Sequence, residues 1–304
     1  MQDVIKVSNL TKVYGRKRVL NGVNLTLEKG QIYGLVGKNG VGKTTLMRIV
    51  TGLSFKTDGE YEMFGAKTEK ELLDACHRVG TMIETPAFYP YMTARQNLEY
   101  YRLQRGVVEK DRVEKVLEEV GLTDTGKKQF KNFSVGMKQR LGLALALLGS
   151  PDLLILDEPI NGLDPEGIVE FRNVLKRLNV ENNITMMISS HILTELSSIA
   201  TCYGFMKDGS MVEEISAVDL ESKCKACVEV EVSDAKRVTG LLETNLGCTQ
   251  YEVLPNNHIR VYQYYDDPSI LSDLIVLNGI KLKLLEVKST DLENYFLELL
   301  GGNQ

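Results

Sequence analysis

The sequence predicts an α/β protein in two parts: a large domain over residues 1–215 on a mixed, largely parallel sheet with an inserted helical subdomain, and a small α+β domain over residues 216–304. Three observations carry this expectation. Apolar, β-rich segments alternate with helix-length segments as far as about residue 208, the pattern of strands joined by crossover helices. A glycine-rich turn at residues 37–42 joins one of these strands directly to a helix. After Asp208-Gly209 the pattern changes to short alternating strands separated by two helices.

Gln31-Ile-Tyr-Gly-Leu-Val36 and Leu153-Leu-Ile-Leu156 read as buried strands, as does Thr185-Met-Met-Ile-Ser189, which a helix starting near His191 should follow. Between Pro90 and Ser150 the chain is mostly helical, Val113 to Val120 included, with breaks at Gly106, Gly121 and Gly126. In the small domain Val228, Val230 and Val232 alternate with polar residues, and Val238, Leu241, Leu242 and Leu246 share one side of a helix over 235–246. Two strands flanking Pro255-Asn-Asn257, a helix near 267–277, a strand over 281–287 and a last helix over 291–300 complete a β-α-β-β-α-β order. That order predicts a ferredoxin-like fold.

Composition narrows the function. The longest apolar candidate, Leu141 to Leu148, is too short to cross a bilayer, which needs about 18 apolar residues or more. Met1-Gln2-Asp3 leads straight into a strand-like segment without the basic start and apolar core of a signal peptide, so a cytoplasmic location is expected. A net charge of −5 with interspersed signs gives no broad basic face, which argues against nucleic acid as a partner. The five cysteines have no framework spacing and read as reduced thiols. Cys224 and Cys227 form a CxxC, but it lacks two further ligands at a similar spacing. The pair reads as two small side chains at the start of a strand.

Gly37-Lys38-Asn39-Gly40-Val41-Gly42-Lys43-Thr44 matches GxxxxGK[ST] between a strand and a helix, the P-loop context. The glycines let backbone N–H groups turn toward a polyphosphate, the helix presents its positive end, and Lys43 adds a point charge. Thr44 supplies a hydroxyl to Mg²⁺. The candidate ATP-binding residues here are Gly37, Lys38, Asn39, Gly40, Gly42, Lys43, Thr44 and Thr45. Four apolar residues then lead into Asp157-Glu158, so a strand end delivers two carboxylates to the phosphate edge. Asp157, expected nearest the P-loop, is assigned to Mg²⁺, and Glu158 to the general base that polarises a water.

Phe133-Ser134-Val135-Gly136-Met137-Lys138-Gln139-Arg140, shortly before Asp157, resembles the LSGGQ signature of ABC ATPases. Asn161-Gly-Leu-Asp164 resembles the family's D-loop, His191 after Ser189-Ser190 its switch histidine, and Tyr14 in Lys12-Val-Tyr-Gly15 its adenine-stacking A-loop. The resemblance covers about residues 3–215 with the motifs in order. It implies an ATP-hydrolysing subunit that works as a head-to-tail homodimer, each ATP held between Lys43 of one copy and Ser134 and Gly136 of the other. Asp164 would reach across that interface, and His191 would sense the γ-phosphate.

Two positions depart from the common pattern. Val135 stands where the first signature glycine is usual, leaving Ser134 and Gly136 in place. Glu84, in Ile83-Glu84-Thr85-Pro86, stands where most ABC ATPases carry glutamine. Glutamate there, and the small C-terminal domain, resemble the subunits of bacitracin-type and lantibiotic self-immunity exporters. This resemblance implies a role for Glu84 in catalysis and as a Mg²⁺ ligand, a separate integral membrane permease as partner, and a position on the inner face of the plasma membrane. An ABC ATPase acting outside transport, as in translation or DNA repair, would call for tandem ATPase domains or a long coiled-coil insertion. The single P-loop and absence of extended heptads disfavour it.

Overall fold

The computed structural model describes residues 2–84, 87–224, 226–288 and 292–299. They form two compact units, Met1–Ala217 and Val218–Gln304, divided two residues beyond the expected boundary at residue 215.

In chain order the first unit comprises β1 (Asp3–Tyr14), β2 (Lys17–Glu28), β3 (Ile32–Val36), α1 (Lys43–Val50), β4 (Asp58–Met63), α2 (Glu69–Cys76) and β5 (Val79–Met82). It continues with α3 (Ala94–Gln104), α4 (Arg112–Glu119), α5 (Val135–Leu147), β6 (Leu153–Leu156), α6 (Pro165–Asn182), β7 (Thr185–Ser190), α7 (Leu193–Leu196), β8 (Cys202–Lys207) and β9 (Ser210–Ser216). A six-stranded sheet runs in the order β5-β6-β7-β3-β8-β9. Its strands are parallel except β9, which turns back antiparallel on β8. Every residue of β3, β6 and β7 is buried, as expected of parallel strands covered on both faces.

A second, antiparallel sheet, β2-β1-β4, packs on the same core. Ile5 and Leu10 of β1, Leu25 and Leu27 of β2, Leu46 and Met47 of α1 and Ile155 of β6 belong to one buried cluster. The P-loop helix is therefore held by side chains of both sheets. Tyr33 of β3 is fully buried and donates to Glu214 Oε1 at 2.6 Å. Burial, and then the Glu214 charge, push its phenol well above the ordinary tyrosine range, so it stays a donor.

The expected helical insertion is α3 to α5. Thr93 opens α3 with a capping box to Gln96, and the run Leu141 to Leu147 buries the C-terminal half of α5. The helix expected near His191 is α7, which begins at Leu193. Ser190 Oγ accepts from Ile192 N at 3.0 Å and donates to Glu195 Oε2 at 2.5 Å. This local turn competes with helical hydrogen bonding and keeps His191 on the loop ahead of the four-residue α7.

The second unit contains α8 (Ala217–Lys223), whose first residue lies in the first unit, then β10 (Cys227–Val232), α9 (Ala235–Leu246), β11 (Tyr251–Leu254), β12 (His258–Val261), α10 (Ser269–Leu277), β13 (Leu282–Lys288) and α11 (Leu292–Leu299). Its antiparallel sheet has the order β11-β12-β10-β13, the ferredoxin-like arrangement. Val228, Val230 and Val232 pack with Val238 and Leu242 of α9 and Leu271 and Ile275 of α10. Of the cysteine pair, Cys227 is buried as the first residue of β10. Asp291 and Leu300, the expected ends of the last helix, lie outside the described residues.

Helix α5 reaches β5 through a near backbone contact. A Cβ added at Gly80 would lie 2.3 Å from the carbonyl oxygen of Ala146 and 2.8 Å from Leu154 Cδ2. The nearer neighbour is backbone, which cannot turn aside as a side chain can, so the helix would have to move. Gly80→Ala should destabilise the first unit by about 1–3 kcal/mol, read as a lower midpoint in urea unfolding.

Candidate functional site

Strand register brings the site together. Val36 of β3 pairs with Ser190 of β7, and Leu156 of β6 pairs with Ile188. One step further along the sheet, Gly37 N donates to Ser190 O at 3.3 Å, while Asp157 N donates to Met82 O of β5 at 2.8 Å. The P-loop, the two acids and His191 therefore emerge from the same edge of the sheet, where open α/β sheets place their ligands.

Glycine is required in the loop at two points for different reasons. A Cβ at Gly37 would lie 2.8 Å from Met206 O. Gly42 has φ 119°, and its Cβ would lie 2.7 Å from Leu20 Cδ2 and 2.9 Å from Val19 O. Gly42 is also the N-cap of α1, which has no side-chain cap. The helix N-terminus can therefore offer its amides to an anion. Lys38, Asn39 and Gly40 are exposed above it, and Thr45 is partly buried.

Lys43 is only 5% exposed. Its ammonium donates to Gly37 O at 2.6 Å and Lys38 O at 3.4 Å and lies 3.2 Å from Glu158 Oε1. The other Glu158 oxygen is 2.8 Å from His191 Nδ1. Glu158 has φ 47°, a left-handed conformation that costs a non-glycine residue about 1–3 kcal/mol. Its Oε1 is buried and, although ion-paired with Lys43, accepts no hydrogen bond among the described residues.

Beside it, Thr44 donates its hydroxyl to Asp157 Oδ2 at 2.6 Å, and Ser189 donates to Asp157 Oδ1 at 2.6 Å. Glu158 N in turn donates to Ser189 Oγ at 2.8 Å. Ser189 thus orients one acid through its side chain and the next through its backbone. Sequence reasoning gave Ser189 no role; the available signal was a pair of serines closing a strand with an apolar centre. The adjacent hard oxygens of Thr44 and Asp157, next to a glycine cradle and a buried cation, fit a Mg²⁺–polyphosphate.

The other expected residues lie around this centre. Tyr14 ends β1 with its hydroxyl 3.2 Å from Ser54 Oγ and the Lys12 ammonium 4.6 Å from its ring centroid. Ser134 is the N-cap of α5, accepting from Met137 N at 3.2 Å. Asp164 caps α6 by accepting from Gly167 N at 3.0 Å, with Pro165 at the first helical position. A Cβ built on Gly136 would lie 3.7 Å from Leu163 Cδ2, so the signature and D-loop segments are neighbours. The hydrogen bonds of Ser134 and Asp164 are local caps. Glu84 has φ 65°, and its carboxylate pairs with the Arg48 guanidinium of α1. Arg48 also went unnoticed in the sequence, and Thr85 and Pro86 lie outside the described residues.

Residues 20–161 match the ABC transporter family model. The chain is 42% identical over 302 residues to the bacitracin transport ATP-binding protein BcrA of Enterococcus faecalis, covering 99% of this chain and 98% of that one. It belongs to the ABC transporter ATP-binding family. This ABC protein is also 43% identical over 211 residues to the lantibiotic transport ATP-binding protein SrtF of Streptococcus pyogenes, covering 69% of this chain and 90% of that one. Among solved structures it is similar to MJ0796, a bacterial ABC transporter cassette described as dimeric, at 26% identity and TM-score 0.63 over 70% of this chain and 98% of that one. The ABC chain is thus the ATP-binding, ATP-hydrolysing subunit of a transporter. The BcrA match also spans the ferredoxin-like unit.

Ser189 provides a test of the acid network. Ser189→Ala deprives Asp157 of one donor and Glu158 N of its acceptor in a fully buried position. The expected loss is about 1–3 kcal/mol of stability, together with weaker Mg²⁺-dependent ATP binding, checked by urea unfolding and calorimetric titration.

Proposed function

We propose that the chain is the motor of an exporter of peptide antibiotics or similar amphiphiles, working as an ATP-dependent homodimer on a separate membrane permease. The observation that carries the hydrolytic part is the Glu158 carboxylate, set between Lys43 and His191 beside the Thr44–Asp157 pair. In this reading Lys43 and the start of α1 bind the β- and γ-phosphates. Thr44 and Asp157, with Glu84 as a further oxygen ligand, hold Mg²⁺. The ion supplies positive charge that offsets charge on the phosphate oxygens. Glu158 takes a proton from the attacking water at Oε1, while His191, bonded to the other oxygen, orients the carboxylate and meets the γ-phosphate. Binding requires Lys43 to exchange Glu158 for phosphate, which frees Glu158 for that proton.

Tyr14 stacks on the adenine with the ring face that Lys12 leaves open. Ser134 and Gly136 at the start of α5 serve the phosphates of the partner copy, and Asp164 meets that copy across the interface. The dimeric MJ0796 cassette supports this assembly. The substrate class rests on BcrA and SrtF, named for bacitracin and lantibiotic transport. Among the described residues no helix is long and apolar enough to cross a membrane, and the reading gives that passage to the permease, with this chain at its cytoplasmic face.

Glu158→Gln removes both the base and the ion pair that competes for Lys43. It should bind ATP at least as tightly as the parent and lower turnover about 10²–10⁴-fold. With ATP and Mg²⁺ it should also elute as a dimer in gel filtration with light scattering. A monomeric variant with unchanged turnover would refute both base and dimer.

A further inference from the structure

Glu84 poses an electrostatic problem. It adds a third carboxylate to Asp157 and Glu158 at the edge of a site built for polyphosphate, where a free negative charge opposes binding. Its attachment to that edge is direct: Glu84 lies two residues beyond Met82, whose carbonyl accepts from Asp157 N at 2.8 Å. The loop holds it with φ 65°, and the Glu84 side chain is 66% exposed, so packing does not fix the carboxylate.

Arg48 does. Its guanidinium pairs with Glu84, and its own side chain is 37% exposed. Arg48 follows Thr44 by four residues on α1, so both project from one face of the helix, about one turn apart. The ion pair therefore parks Glu84 along the helix face whose other end carries the Thr44 hydroxyl bonded to Asp157. We propose that Arg48 is a positioning residue that cancels the charge of Glu84 and ties it to α1, the helix whose first turn carries Thr44, the partner of Asp157. The loop then meets nucleotide as a nearly neutral unit, and the carboxylate can be released toward the metal site once Mg²⁺ has brought compensating charge. This rests on the reading of residues 37–44 and 157–158 as the ATP and Mg²⁺ site.

The proposal makes the effects of Arg48 and Glu84 interdependent. Arg48→Ala should weaken ATP binding in EDTA about fivefold, the scale of a strong exposed ion pair, and less in excess Mg²⁺. Arg48→Lys should retain most of the affinity. Combining Arg48→Ala with Glu84→Gln should restore affinity to within about twofold of Glu84→Gln alone, since no unpaired carboxylate is left. Isothermal titration of the full-length chain with ATP, with and without Mg²⁺, reads these affinities directly, and unfolding midpoints show whether each variant is folded. Affinity losses that simply multiply in the double variant, or an Arg48→Ala loss of equal size with and without Mg²⁺, would overturn the proposal. Lys43→Ala separates this from the underlying reading: if that variant binds ATP like the parent, the site itself is wrongly assigned. If Lys43→Ala loses binding while Arg48→Ala matches the parent, only the role of Arg48 fails.

Discussion

Taking a lysine ammonium out of water costs several kcal/mol unless protein oxygens replace its hydration, and the buried Lys43 meets that cost with two loop carbonyls and one carboxylate oxygen. Much of the first unit serves this arrangement. The carbonyls of Gly37 and Lys38 reach the ammonium because the loop folds back over the start of α1. That fold needs a left-handed Gly42 pressed against Leu20 and Val19 of β2. The antiparallel sheet is thus part of the site's wall, since a shift of β2 would move the surface against which Gly42 turns.

The carboxylate that completes the set depends on the other sheet. Parallel register between β6 and β7 brings Asp157 and Ser189 together, and one serine hydroxyl joins the side chain of the first acid to the backbone of the second. Because Glu158 turns off the strand in a left-handed conformation, consecutive acids face different partners: Asp157 meets Thr44 and Ser189, and Glu158 meets Lys43 and His191. Two chemically similar residues thereby acquire different surroundings, which allows one to serve a metal and the other to serve water.

Ser134 and Asp164 show how a structural task can coexist with a proposed one at an interface. Each satisfies a backbone N–H in the first turn of its helix, which stabilises by about 1 kcal/mol whether or not a partner is present. A cap also leaves further amides and acceptor capacity at the helix start, so the same residue can meet a phosphate or a second copy without refolding. Val135 is half exposed beside this surface, which is compatible with a side chain in place of the usual glycine.

The sequence by itself determined the contiguous chemistry: the glycines, Lys43 and Thr44 of the P-loop, the paired acids ending an apolar strand, and the signature preceding them. It also determined the β-α-β-β-α-β order of the small unit, because period-2 and period-3.6 patterns and a Pro-Asn-Asn turn are local signals. The partners of those residues were decided only by tertiary structure. Thr44 meets Asp157 across 113 positions and Ser189 meets Asp157 across 32, while Arg48 meets Glu84 across 36. Pairing of β1 with both β2 and β4 is likewise invisible in the strand-like start of the chain. Such contacts follow from strand register and helix placement, which sum many weak packing terms over the whole core and leave no periodic mark at the residues they join.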